Sequence, residues 1–181
     1  RSDVLLEKKY DFEEEYFAQC GNQNPNIKDK KIVYYEGEKF PFQDNSFDYT
    51  VCSHVLEHVE NPDFFMNEIQ RVSKKGYIEF PLIYYDFIYD IPEHLVFLYY
   101  KDNVIKWMRK KDTTIGEFSL IQKFFKLTLD KHYFSLVDDL KPFLFQGFEW
   151  FGNIKTQKVT NIEELCHDLS KLQIKQKQIN I

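Results

Sequence analysis

Seven consecutive residues, CSHVLEH from Cys52 to His58, hold most of the chemistry that can be read directly from side-chain type and spacing. His54 is an imidazole that titrates near neutrality, so it can take the proton that a hydroxyl or a protonated amine must lose as it attacks an electrophile. His54 and His58 are four residues apart with Glu57 between them, and on a helix this would put two imidazoles on one face around a metal. The spacing is not H-E-x-x-H, however, and the segment follows a strand. No metal is assigned, and Glu57 and His58 are read as fixing the loop by hydrogen bonds. Further along, Tyr84, Tyr85 and His94 are candidate substrate contacts, with the filling of a small aromatic core as the alternative.

These residues need elements to hold them. Lys31–Tyr35 and Tyr49–Cys52 read as strands, Pro62–Lys74 as a helix and Tyr77–Phe80 as a third strand, a pattern that predicts a parallel βαβ sheet. Ligands of an open α/β sheet bind in loops at the carboxyl ends of such strands. The helix is punctuated clearly. Asn61 can cap it, Pro62 suits its first position, Asp63 and Glu68 fall on a polar face, and Phe65, Ile69 and Val72 form the apolar stripe. Lys74 and Lys75 complement the negative end of the helix dipole, and Gly76 is expected to end the helix in a left-handed conformation.

Composition narrows the class. A chain of 181 residues can hold one well-cored domain, and its 18 Phe and 12 Tyr predict a core of large rings. The formal net charge of −5 argues against a nucleic-acid backbone as the main partner. Cys20, Cys52 and Cys166 are odd in number and widely spaced, so they read as reduced thiols in a cytoplasmic compartment. No run approaches the length of a membrane span.

The stretch GEKFPFQDNSFDYTVCSHVLEHVENPDFFMNEIQRVSKKGYIEFP resembles the second half of a class I S-adenosylmethionine-dependent methyltransferase of type 11. The likeness lies in the PF-turn-FD strand, the His- and Glu-bearing loop, the R-V helix end and the glycine before the next strand; Lys74-Lys75-Gly76 stands where the family usually has Pro-Gly-Gly. The resemblance implies a Rossmann-like α/β fold with S-adenosylmethionine as cofactor. RSDVLLEKKY would be its second strand, with Glu7 holding the ribose hydroxyls. Glu36 and Gly37 would meet the adenine, Phe42 with Phe40 and Pro41 would wall it, and Ser53 and His54 would face the methionine part. The family's first strand and glycine-rich loop have no counterpart here and would lie upstream of Arg1. The 181 residues alone are therefore expected to form a partial domain that binds cofactor poorly.

Beyond Pro81 the family pattern fades. Leu95–Tyr100 and Val104–Arg109 read as a hairpin within an insertion, 82–115, that could form a lid over the acceptor. One or two helical turns are expected within 11–20, and helices over 117–125 with Phe118, Ile121 and Phe125 inward, 131–140, and 161–174. Phe143–Trp150 and Asn153–Val159 read as the closing antiparallel hairpin of the family's sheet. The function implied is methyl transfer to a small or medium acceptor, such as a saccharide, a lipid intermediate, a small metabolite or a protein side chain. The alternative is a degenerate, non-catalytic interaction module, and a third reading, another nucleotide-binding α/β enzyme, lacks any phosphate loop.

Overall fold

The computed structural model describes residues 3–7, 31–35, 37, 39–129 and 140–168, with the side chains of 3–7 and of 31 and 32 left aside. The helical turns expected within 11–20, the loop 21–30, most of the helix 131–140 and the tail beyond 168 lie outside the described residues. Strand β1 (Asp3–Glu7) runs parallel to β2 (Lys31–Tyr35), with Glu7 opposite Tyr35. The βαβ unit is present as β3 (Thr50–Ser53), helix α1 (Pro62–Val72) and β4 (Lys75–Pro81), β3 and β4 being parallel. Among the described residues β1 pairs only with β2 and β3 only with β4, so the two parallel pairs form separate sheets. The result is the mixed α/β architecture expected.

Helix α1 forms as its punctuation predicts. The Asn61 side chain accepts from the Phe64 N–H at 3.1 Å, Pro62 opens the helix, and Phe65, Ile69 and Val72 are buried together with Met66. Lys74 Nζ reaches back to the Gln70 carbonyl at 3.0 Å. Two details differ. Glu68 is buried, not on a polar face, because Arg71 neutralises it. The helix ends at Val72 through an extended Ser73, and Gly76 already lies inside β4 without a left-handed φ. Its glycine is needed for space: a Cβ there would collide with the Thr50 carbonyl oxygen and lie 2.7 Å from Trp150 Nε1.

The hairpin is also present, as β5 (Val96–Lys101) and β6 (Val104–Arg109), turning through Asp102 and Asn103, both at positive φ. It is not a detachable cover. Val96, Phe97, Leu98, Ile105 and Trp107 are buried in the main core beside Leu56, Met66, Ile78 and Phe80. Nor do the last two strands form a hairpin. β7 (Phe145–Phe151) pairs antiparallel with β4, whereas β8 (Lys155–Lys158) crosses over to lie parallel to β6. The sequence KTQK in β8 has no apolar side chain to cover β7 and suits an edge, and the flanking Ile154 and Val159 are the buried anchors. Between the two three-stranded sheets the Gln146 amide acts as a clasp. Its Oε1 accepts from the Tyr100 N–H at 2.8 Å and its Nε2 donates to the Tyr100 carbonyl at 2.9 Å, with Tyr100 stacked on Phe148.

Helix α2 (Ile83–Tyr89) follows β4, and α3 (Ser119–Leu129) follows a 3-10 turn at Ile115–Phe118. In α3 the side chain turned inward is Gln122, while Ile121 and Phe118 are exposed, contrary to the expected stripe. Leu120, Ile121, Phe124, Phe125 and Leu127 share one side of an amphipathic helix, but Leu120, Ile121, Phe124 and Leu127 are exposed among the described residues and Gln122 from the polar side is buried instead. Of the helix expected over 161–174, the described residues, which end at 168, hold a 3-10 turn, Ile162–Leu165, capped by Asn161 as predicted and left by an extended Cys166.

Placing a methyl group at residue 76 should be costly in proportion to the backbone contact it meets. Gly76→Ala is expected to destabilise the chain by about 1–3 kcal/mol in urea unfolding. Gly116→Ala, whose Cβ meets nothing within 4 Å, should leave the midpoint unchanged or raise it.

Candidate active site

Ser53 and Glu79 are register partners at the carboxyl ends of β3 and β4. His54 leaves β3 with φ of 53°, in the left-handed region, and its N–H donates to the Glu79 carbonyl at 2.9 Å. Its imidazole lies between two carboxylates: Nε2 is 3.2 Å from Glu79 Oε1 and Nδ1 is 3.4 Å from Glu57 Oε1. Ser53 Oγ donates to Glu79 Oε1 at 3.2 Å and the Tyr77 hydroxyl donates to Oε2 at 2.6 Å. Gly147 on β7 leaves the room, since a Cβ there would collide with the Tyr77 hydroxyl. Burial alone would lower the His54 pKa, but the neighbouring Glu57 and Glu79 carboxylates override it and hold it above its ordinary value. Burial pushes Glu79 upward, yet the Tyr77 hydrogen bond and the charge of His54 keep it below the usual carboxylate range. The arrangement orients the imidazole at a strand end and strengthens its hold on a proton.

Beyond His54 the chain makes a 3-10 turn, Leu56–His58, that buries Glu57 and ties to the start of β5 through the Leu95 N–H and the Glu57 carbonyl at 2.8 Å. The His94 ring packs edge-on to that of His58, with centroids 5.0 Å apart. Its Nδ1 is 2.7 Å from Asp86 Oδ2 on α2, and Lys110 Nζ lies 3.3 Å from Asp86 Oδ1 and 2.7 Å from Asp90 Oδ1. Phe145 touches both His54 and Tyr85, and Tyr85 touches His94. His54, Tyr85 and His94 therefore belong to one aromatic wall. Tyr84 does not: neighbours on a helix point about 100° apart, and Tyr84 stacks on His167 and accepts from its N–H at 2.7 Å. Cys52 is buried beneath this layer, and burial pushes its thiol pKa up, so it stays protonated.

The loop before β3 is clamped onto α1 by one guanidinium. Arg71 Nε donates to Glu68 Oε1, Nη1 to the Phe42 carbonyl and Asp44, and Nη2 to the Phe40 carbonyl and Glu68 Oε2, at 2.7–3.0 Å. Glu68 Oε2 also accepts from the Phe40 N–H at 2.7 Å. All five guanidinium donors are used. Phe40 is buried between Tyr35 and Phe65, so it builds core and is no free wall, while Phe42 leans on Phe47. Gly37 takes φ of 78° just past β2, a conformation that favours glycine. Glu36 and the Glu7 side chain lie outside the described residues. β1 and β2 are parallel and in register, so the backbone of Glu7 ends beside that of Tyr35, next to Glu36 in sequence.

Residues 9–78 match the family described as Methyltransferase domain. Over that stretch, well under half of its length, the chain is similar to that family. Two curated proteins are similar to it. Sterol 4-C-methyltransferase strm-1 of Caenorhabditis elegans is 41% identical over 63 residues, 33% of this chain and 19% of its own length. Protein MJ1123 of Methanocaldococcus jannaschii is 41% identical over 46 residues, 25% of this chain and 22% of its own. These matches span about a fifth of either relative. Among solved structures, the YcgJ protein of Bacillus subtilis aligns with a TM-score of 0.31 at 20% identity, covering 44% of this chain and 37% of that one, a likeness too distant to support an argument about the site.

Sequence reasoning missed Glu79, one residue past the matched segment, which gathers Ser53, His54 and Tyr77; Asp86, Phe145 and the Arg71 clamp were missed as well. The one available signal for Glu79 was a carboxylate in the middle of an otherwise apolar strand, IEFP.

The clamp sets a pH dependence. The Arg71 hydrogen bonds, aided by the Phe40 N–H and opposed by burial, lower the Glu68 pKa from its ordinary 4.5. A carboxyl depressed in the folded state stabilises fully above its unfolded value, and that stability is lost as pH falls through the folded one. Urea unfolding of Glu68→Gln should therefore show lower stability at pH 7 and a shallower loss below about pH 4.5 than the parent. Arg71→Met, which strands Glu68, should cost about 3 kcal/mol at pH 7.

Proposed function

We propose that the chain forms the donor-binding and acceptor-facing part of an S-adenosylmethionine-dependent methyltransferase acting on a small or medium acceptor. One observation carries the reading. His54, inside the segment that matches the family, is held between Glu79 and Glu57 at the carboxyl ends of two parallel strands, where an open α/β sheet receives its ligand. In this reading Glu7 takes the ribose hydroxyls, Glu36 and Gly37 the adenine, and Phe42 and Ser53 flank the nucleoside and methionine ends. When bound, the cofactor supplies a sulfonium methyl group. The chain's own residues orient the acceptor and exclude water, and His54 holds or takes the acceptor's proton while Glu79 and Glu57 fix its ring. Tyr85 lines the acceptor side, with His94 behind it. The acceptor is a hydroxyl- or amine-bearing metabolite, saccharide, lipid intermediate or protein side chain; the sterol named for the worm relative is one member of the lipid class.

The test uses the chain joined to any natural sequence preceding Arg1. Calorimetry should show binding of S-adenosylhomocysteine, weakened by roughly 1–3 kcal/mol in Glu36→Ala and unchanged in Glu38→Ala. His54→Ala should lower methyl release from labelled S-adenosylmethionine on a responsive acceptor by about a hundredfold or more, well beyond its loss of S-adenosylhomocysteine affinity. Absence of any S-adenosylhomocysteine binding would overturn the reading in favour of a non-catalytic module.

A further inference from the structure

We infer that Glu57, His58 and His94 form a binding site for a single first-row divalent transition cation. One potential ligand atom from each lies within 4.8 Å of the others. The hydrogen bonds behind the rings fix which nitrogen is free. His58 Nδ1 is 3.0 Å from the Glu93 carbonyl, which can only accept, so Nδ1 carries a hydrogen and Nε2 is the ring nitrogen left to meet a metal. His94 Nδ1 is committed in the same way to Asp86 Oδ2 at 2.7 Å. Both rings thus have the outer partner typical of metal-bound histidine, one a backbone carbonyl and the other a carboxylate.

The third member supplies the independent observation. Glu57 is 1% exposed, and neither of its carboxylate oxygens has a hydrogen-bond partner. Its closest ion-pair partners are His54 Nδ1 at 3.4 Å and His58 Nε2 at 3.8 Å, both longer than a charge-assisted hydrogen bond. A buried carboxylate with neither oxygen hydrogen-bonded is costly, and one cation would satisfy it together with the two ring nitrogens beside it. The frame is rigid: the Leu95 N–H bond to the Glu57 carbonyl joins the two halves, and Lys110 and the Ile91 N–H hold Asp86. His94 also lines a cavity of about 560 Å³ with Glu60, Arg109 and Lys110.

Two imidazoles and one carboxylate favour zinc, cobalt, nickel or iron over magnesium and calcium, which take oxygen ligands. Three protein ligands leave a position open. Metal binding at this cluster does not depend on methyl transfer, so its test reads the ion alone.

Chelator-treated protein should bind one equivalent of Zn²⁺ by calorimetry, and Co²⁺ should give visible d–d absorption with the same stoichiometry. A large excess of Mg²⁺ should not displace either ion. Glu57→Gln and His94→Asn should each weaken Zn²⁺ binding at least tenfold, and Asp86→Asn by about 10–100-fold through His94. His167→Asn, outside the cluster, should bind as the parent does. Circular dichroism of the metal-free variants checks folding; Glu57→Gln, which removes the buried charge, serves as the variant certain to be informative if His94→Asn fails to fold. No stoichiometric Zn²⁺ or Co²⁺ binding by the folded parent, or unchanged affinity in folded Glu57→Gln, would overturn the site. Magnesium binding as tight as zinc would overturn its assignment to a transition cation.

Discussion

Strand β4 has neighbours on both sides, parallel to β3 and antiparallel to β7, and the site depends on that double pairing. Parallel pairing requires a crossover, which α1 provides, and it brings two carboxyl ends together at one edge. Ser53 and Glu79 face each other there, and His54 steps off the strand into the space between Glu79 and the buried Glu57. The antiparallel neighbour supplies the other wall, with Gly147 making room for Tyr77 and Phe145 closing against His54 and Tyr85. Removing β3 would take from Glu79 the Ser53 hydrogen bond and the His54 charge that help to keep it ionised.

Local signals were legible in the sequence where one cause dominates. The Asn61-Pro62 start of α1, its apolar stripe and the β5–β6 turn each follow from a side chain's own conformational or capping preference, and each forms as read. The long-range pairings were not legible. KTQK has strand propensity but nothing in its residues says that it lies on β6 and leaves β7 alone, a choice made by Ile154 and Val159 finding the core. Gly76 was read as a helix stop because Lys-Lys-Gly suits one, whereas its need is set by Thr50, distant in sequence.

The site divides similarly. His54 and Tyr85 were found by residue type and position, and they share a wall. Tyr84 was grouped with Tyr85 by adjacency, which on a helix separates side chains and so misled. His94 was read as a substrate contact, and its partnership with Glu57 and His58 depends on a turn and a strand start brought together by one backbone hydrogen bond. No spacing rule spans that separation. Glu79 and Arg71 act by collecting donors and acceptors from several segments, and neither residue's own neighbourhood in the sequence announces the role.

The Gln146 clasp contrasts with the charged clamp at Arg71. It joins two sheets through an uncharged amide that both gives and receives at Tyr100, over the stacked Phe148 ring. Ionic strength and acid act on guanidinium and carboxylate partners, and they have no purchase on such a joint. This joint between the two layers is thus insulated from solution conditions that loosen the loop ahead of β3.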